Sequence, residues 1–310
     1  MTSGMDSSSD RDRAARGSLD GLVLGDAFGD TWFLNSAEPA NELLAARALR
    51  PAPWNWTDDS AMAVVLHRHL SRHGEVHQDE LAREFAAEYA RDPYRKYGPS
   101  MHDVLTRIGA GEPWEAVTGG MFGGQGSWGN GAAMRVAPLG ARFAGAPDTA
   151  ALQADLSART THAHPEAAAG AVAVAVAASL AAADGLAGSV PRPRDAFLRE
   201  VAGFVAESDV RSRLLVASRL SGRASVRHAA EVLGSGWQVS APDTVPFALW
   251  CAASHPEDLA EALWYTVGGW GDRDTTCAIV GGVVGARTGT AGVPAPWRSA
   301  VEPLPPSAAA

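Results

Sequence analysis

The sequence predicts an all-α fold, one multi-helix domain, on three observations. Alanine fills 61 of 310 positions, and it is the strongest helix former. Apolar residues in the longer segments recur at the 3.6-residue spacing of a helix face. Strand signals are sparse: the one alternating run, Val172 to Val176, lies inside an alanine-rich stretch whose length favours helix. No composition break marks a linker and no repeat at solenoid spacing is present, so the domain is expected to cover residues 18–293. Met1 to about Arg16 is Ser, Asp and Arg with almost nothing to bury, so residues 1–17 are expected to form a disordered tail. Residues 294–310, with Pro294, Pro296, Pro303, Pro305 and Pro306, are expected to form a Pro/Ala-rich tail through which no helix runs.

The elements follow in order. From Thr57, the spacing puts Met62, Val65, Leu66, His69 and Leu70 on one helix face. Thr57, Asp58 and Asp59 offer oxygen and negative charge at its start, and Gly74 stands where it should stop. Residues 78–90 repeat the pattern with Leu81, Phe85 and Tyr89. Residues 167–183 fall just short of spanning length and are only weakly lipophilic, which points to a buried central helix rather than a membrane span. Ser240-Ala-Pro-Asp243 leads into a further helix, and Pro256-Glu-Asp258 opens one carrying Leu259, Leu263 and Trp264. The run Cys277 to Gly285 has no polar face, so its helix must be buried. Its glycines, Gly281, Gly282 and Gly285, each cost roughly 1 kcal/mol against alanine in a helix interior, and close approach of a neighbouring helix would account for them.

Lys+Arg 26 against Asp+Glu 35 leaves a net charge of −9, with Lys96 the one lysine. Such a chain lacks the basic bias of a nucleic-acid binder, and no stable nucleic-acid partner is expected. Cys251 and Cys277 allow one bridge at most, which favours a reducing compartment. The first thirty residues hold no secretory apolar core, so a cytoplasmic location is expected.

Two acidic strings carry the chemical interest. Thr57-Asp58-Asp59-Ser60 alone reads as a helix cap. Asp272-Arg273-Asp274-Thr275-Thr276 opens the buried last helix, and there the charges are a problem. Unit charges about 4 Å apart interact by about 4 kcal/mol at an effective dielectric near 20. If the strings meet, either protonation or cations must relieve the repulsion. Aspartates with threonine hydroxyls suit hard divalent cations, Mg²⁺ or Mn²⁺, at one or two positions.

The glycine-rich run Gly119 to Gly131 contains a formal GxGxxG at Gly124–Gly129, but no strand precedes it, which excludes a dinucleotide fold. Its backbone N–H groups could hold a phosphate, or it is a flexible surface loop. His67, His69, His73 and His77 lie along or just after one helix with no glutamate of an HExxH motif, which favours a solvated or half-buried face over a metal site. His162 and His164 precede the alanine-rich helix, where they would cap it or hold a phosphate. Cys251 and Cys277 read as core packing.

Five stretches together are similar to one family. Gly21-Leu-Val-Leu-Gly-Asp-Ala-Phe-Gly29 resembles an opening GDAxG helix, and Trp56-Thr-Asp-Asp-Ser-Ala-Met62 a WTDDTxM motif. Ser127-Trp-Gly-Asn-Gly-Ala-Ala-Met-Arg135 matches SxGNGAAMR, Thr161-His162 a short TH motif, and Gly271-Asp-Arg-Asp-Thr-Thr276 a closing GDTDT. In this order, across residues 21–289, they resemble the ADP-ribosylglycohydrolase family, which includes the dinitrogenase reductase-activating glycohydrolase and the vertebrate ADP-ribosyl-acceptor hydrolases.

The resemblance implies an all-helical domain with two Mg²⁺ or Mn²⁺ ions at the base of a cleft, held by Thr57, Asp58, Asp59, Asp272, Asp274 and Thr275. It implies that the ions hold the distal ribose hydroxyls and a water near the anomeric carbon, with Asp58 or Asp59 as proton acceptor. Ser127, Trp128, Gly129 and Asn130, with His162, would bind the diphosphate, and Phe122 and Trp128 would stack on or flank the ligand. The implied partners are ADP-ribose and ADP-ribosylated molecules, cleaved at an N- or O-glycosidic bond. The alternative is a non-catalytic relative that binds ADP-ribose or serves structurally, as the lens crystallins of this family do. Three positions depart from the family pattern. Phe33 stands where a Glu is usual, with Asp30 nearby as a misplaced substitute. Arg273 stands where Thr is usual, a cation that would bind phosphate or upset the cluster. Ser60 replaces Thr and keeps the hydroxyl.

Overall fold

Residues 7–33 and 37–305 are described by a computed structural model, and they form helices joined by short turns. In chain order these are α1 (Ser7–Asp30), α2 (Ala37–Ala45), α3 (Asp58–His73), α4 (Gln78–Arg91), α5 (Pro99–Gly109) and α6 (Trp114–Gly119). There follow α7 (Met121–Gly124), a 3₁₀ turn at Asn130–Ala132, α8 (Ala137–Arg142), α9 (Pro147–Arg159), α10 (Pro165–Leu186) and α11 (Arg194–Phe204). The chain continues through α12 (Asp209–Arg219), α13 (Val226–Leu233), α14 (Ala241–Ser254), α15 (Leu259–Val267), α16 (Arg273–Thr288) and α17 (Ala295–Ala300). Among the described residues the strand-like pairings are two isolated bridges, Trp54 with Val301 and Gly129 with Ser240. The fold is all-α, as composition and periodicity predict.

Local signals set the helix ends where they were expected. Thr57 is the N-cap of α3, accepting from Asp59 N, and Gly74 closes the helix in the left-handed conformation at φ 78°. The alanine-rich helix α10 is long and apolar enough to cross a membrane, but 89% of its apolar window is buried inside the fold. Its small side chains let neighbours come close: a Cβ on Gly140 of α8 would lie 2.0 Å from the Ala175 carbonyl oxygen.

The pairing that positions the site is α1 against α16. Gly17, Gly21, Gly25 and Gly29 of α1 face Gly285, Gly281, Cys277 and Arg273 of α16, so the helices run antiparallel in steps of four residues. A Cβ on Gly21 would sit 2.3 Å from the Gly281 oxygen, and one on Gly281 would sit 2.1 Å from the Gly21 oxygen. The backbones touch, which explains Gly281 and Gly285; Gly282 instead faces Ala137 of α8. Antiparallel pairing in this register sets the C-terminal part of α1, with Asp26, beside the N-terminus of α16, with Asp272 and Asp274.

Both expected tails need correction. Residues 1–6 and 306–310 lie outside the described residues, but from Ser7 the chain is helical, so the disordered stretch does not extend to residue 17. Ala14 and Ala15 are buried and extend by one turn the stripe that Leu19 and Leu22 begin. The charges lie outside and pair: Arg13 with Asp10, Arg16 with Asp20, and Asp12 with Arg142 of α8. A composition reading counts the charges and misses a narrow apolar face. Residues 294–305 are also folded. Proline at the start of a helix is tolerated, and α17 begins just after Pro294. It buries Trp297, whose ring stacks on Phe28 at 4.6 Å and meets Trp54 and Trp264 edge-on.

Candidate functional site

Three helix ends meet at the site. The N-terminus of α3 brings Thr57, Asp58 and Asp59, and that of α16 brings Asp272, its N-cap, with Asp274 and Thr275. From α1, Asp26 accepts from the Thr57 backbone N–H at 2.8 Å, the Thr57 hydroxyl at 2.9 Å, the Ser60 backbone N–H at 3.2 Å and the Ser60 hydroxyl. Asp26 therefore holds the first turn of α3 in place. The Thr57 hydroxyl also lies 3.0 Å from Asp59 Oδ2, while Asp59 Oδ1 is buried without a hydrogen-bond partner.

Five aspartates, three buried and Asp272 and Asp274 half-buried, thus crowd together at two positive helix-dipole ends. Burial first, then neighbouring carboxylates, pushes Asp58, Asp59 and Asp274 well above the usual carboxylate range. Asp26 is pushed up to about 6 by burial, against the lowering effect of its four hydrogen bonds. A carboxyl group with a raised folded-state pKa favours folding below its unfolded pKa, near 3.8, and that stability is lost as pH rises through the folded value. The metal-free protein is therefore expected to melt at lower temperature as pH rises from about 4 through about 6, while Mg²⁺ or Mn²⁺ should restore it near neutrality. Thermal melts across that range, with and without chelator, check this; a metal-free Tm that climbs with pH contradicts it.

Above the carboxylates opens a cleft of about 460 Å³, within the usual size of a small-molecule site. Asp58, Asp59, Asp272, Asp274 and Thr275 line its base, and Phe122, Ser127, Trp128, Gly129, Asn130 and His162 line its walls. Of the residues expected from sequence, Thr57 alone is beneath the surface of the cleft, in contact with it through Asp59.

The glycine-rich run is a shaped wall. Phe122, Gly123, Gly124 and Gly126 all have positive φ, and Phe122 at φ 48° is unusual for a bulky side chain. Lys96 and Val239, also cleft-lining, share that conformation; such residues concentrate where surrounding structure holds the backbone for function. The loop is fastened to the start of α14, with Ala241 N donating to Trp128 O at 3.0 Å and Asn130 N to Val239 O at 3.2 Å. The Asn130 side-chain amide donates to Asp272 Oδ2 at 2.7 Å and Thr244 Oγ1 at 3.0 Å. It ties the loop to the acidic base. Phe122 is 63% and Trp128 54% exposed, so both aromatic faces stand at the mouth.

His162 is buried, and burial with the nearby Arg135 lowers its pKa to about 3, so the ring is neutral. Arg135, buried without an acidic partner, donates to Thr161 Oγ1 at 2.9 Å, and that hydroxyl lies 2.8 Å from His162 Nδ1. The Thr161 hydroxyl also lies 3.5 Å from Ala158 O, and His162 Nε2 stands beside Gly129 and Gly131. His164 caps α10 through Glu166 N, the simpler of its two sequence readings.

Among the described residues Arg273 makes no ion pair with the carboxylates, although their charges act on it. Its guanidinium donates to Trp32 O at the end of α1 and lies over the rings of Phe33 and Trp270 at 4.6 and 5.2 Å. Asp30 pairs with Lys96. Sequence reasoning missed Asp26, Lys96 and the segment with Gln238 and Val239. Asp26 had a signal, an acid inside the glycine ladder of α1; the loop residues had none.

A family model described as ADP-ribosylglycohydrolase matches residues 6–308. The chain belongs to the ADP-ribosylglycohydrolase family. Among curated relatives of this family member, the ADP-ribosylhydrolase ARH3 of Homo sapiens is 30% identical over 93% of this chain and 88% of its own length. The ADP-ribosylarginine hydrolase Tri1 of Serratia proteamaculans is 24% identical over 91% of the chain and 74% of its own. A solved structure, an ADP-ribosylglycohydrolase-related protein complex, superposes with a TM-score of 0.65 at 25% identity, covering 95% of this chain and 94% of that one. Membership in the ADP-ribosylglycohydrolase family thus supports a hydrolase of this type.

Proposed function

We propose that this protein is a divalent-metal-dependent hydrolase that releases ADP-ribose from a modified acceptor by cleaving the glycosidic bond at the distal ribose. The observation that carries the reading is the convergence of two acidic strings, more than two hundred residues apart, at the base of one cleft. The donor set fits hard divalent cations: it is all oxygen, its charges repel, and Asp59 Oδ1 is buried without a partner. Thr57, Asp58, Asp59, Asp272, Asp274 and Thr275 would hold two Mg²⁺ or Mn²⁺ ions. Bound there, the ions would neutralise the acids, lower the pKa of water and orient ribose hydroxyls.

The chain's own residues have separate tasks. Asp58 or Asp59 takes a proton from the water that attacks the anomeric carbon of the oxocarbenium-like transition state. The neutral His162 and the Ser127–Asn130 backbone frame the diphosphate. Phe122 and Trp128 flank the ligand at the mouth; base-on-aromatic stacking is worth roughly 1–3 kcal/mol in nucleic-acid binders. The printed names of the relatives, an ADP-ribosylhydrolase and an ADP-ribosylarginine hydrolase, support ADP-ribose as the recognised unit.

The test is a panel of defined arginine-, serine- and nucleobase-linked ADP-ribosyl substrates, assayed with Mg²⁺ and with Mn²⁺. Release of ADP-ribose from at least one is expected, and none from any sinks the enzymatic reading. A second reading, an ADP-ribose binder without catalysis, draws on Phe33, 44% exposed, where the family carries a carboxylate. Calorimetry showing ADP-ribose binding beside a wholly negative panel would favour it.

A further inference from the structure

The histidines of α3 form a second cluster at the far end of that helix, about 22 Å along its axis from Asp58. There the chain turns at Gly74 and returns as α4. The turn brings His73, His77 and Glu80 together, one ligand atom from each lying within 4.8 Å of the other two. His73 Nε2 is 3.1 Å from Glu80 Oε1, and the His73 and His77 ring centroids are 4.8 Å apart. A tetrahedral ion with bonds of about 2.0–2.1 Å needs donor atoms about 3.3 Å apart, so small side-chain rotations close the set. His73 Nε2 is buried and, although close to Glu80 Oε1, is not aligned with it for a hydrogen bond, so a metal bond would satisfy it better.

A neighbouring group, His69, His73 and Glu84, meets the same distance test but is already committed. His69 Nε2 accepts the His77 backbone N–H at 3.0 Å, so the ring proton lies on Nδ1, 3.0 Å from Glu84 Oε2. Glu84 also pairs with Arg72. The sequence reads these histidines as a solvated or half-buried face because no glutamate stands at HExxH spacing, and His67 and His73 are indeed half-buried. The structure adds that His69, on the apolar face, is fully buried and that carboxylates reach the histidines from α4.

We infer that His73, His77 and Glu80 bind one divalent ion of the zinc class, with His69 positioning the turn that carries His77. Two imidazoles and one carboxylate are a zinc donor set with a fourth position open. Glu75, whose Oε1 is 3.6 Å from His77 Nε2, adds a further carboxylate next to the cluster. The site clips α3 to α4 and acts on stability, so it is independent of the acidic cleft in both metal preference and effect.

The experiment uses tag-free full-length protein, stripped with chelator and titrated with Zn²⁺ by calorimetry under a large excess of Mg²⁺. One Zn²⁺ per chain and a rise in Tm of at least about 3 °C are expected. His77→Ala and Glu80→Gln, both at partly exposed side chains, should each weaken Zn²⁺ binding at least about tenfold and remove the Tm rise. Any hydrolysis supported by Mg²⁺ should be unchanged in these variants, which separates this site from the cleft. Absence of saturable Zn²⁺ binding, equal binding in the variants, or displacement of Zn²⁺ by Mg²⁺ overturns the assignment.

Discussion

Asp274→Asn is expected to lower the hydrolysis rate by at least about a hundredfold, since even outer partners of metal ligands cost 10–100-fold when removed. The same variant should fold, and in chelator it should melt no lower than the unmodified protein. The reason is the sign of the local electrostatics. Asp274 is half-buried beside Asp272 and Asp26, and its charge works against folding in the absence of cations. Removing one charge relieves repulsion worth up to about 4 kcal/mol for a pair at 4 Å and an effective dielectric near 20, while Asn keeps the shape and the acceptor that Thr275 N uses at 2.9 Å. Asp58→Asn should behave in the same way. Initial rates with saturating Mn²⁺ and melts in chelator measure both halves. An unchanged rate in either variant removes these aspartates from the ligand set.

The second large effect is structural. Gly25→Ala should destabilise the fold by about 3 kcal/mol, the upper range for overpacking a tight interior. Its Cβ would lie 2.1 Å from the Cys277 carbonyl oxygen, and a backbone atom held in a helix cannot swing aside. Relief requires α1 and α16 to part, which draws Asp26 away from Asp272 and Asp274, so activity should fall along with stability. Gly203→Ala, in α11 with open space around it, is the matched control and should be neutral or slightly stabilising. Denaturant midpoints and hydrolysis rates for the two variants decide the point. A Gly25→Ala protein as stable as the control would mean that the helices are not in backbone contact.

Much of the helical plan was legible because its determinants are local. Thr57 and Gly74 cap α3 through bonds within four residues, and the apolar period of residues 62–70 needs no partner to be seen. The tails were misread for the complementary reason. Ala14, Ala15 and Trp297 are informative only once the surfaces they cover are known. The grouping of the α3 histidines with carboxylates was hidden likewise, since those carboxylates belong to the next helix.

The two acidic strings, the glycine-rich run and the glycines of the last helix could each be read from the chain, and the chemistry of oxygen ligands followed from residue type. Tertiary packing decided that the strings meet, that Asp26 braces one of them, that Asn130 ties the loop to Asp272, and that Arg273 turns away toward Phe33 and Trp32. The physical reason is one of range: caps and periodicity act over a few residues, whereas the site depends on an antiparallel register between helices at opposite ends of the chain. That register is set by backbone contact at glycines, which have no side chain through which to announce a partner.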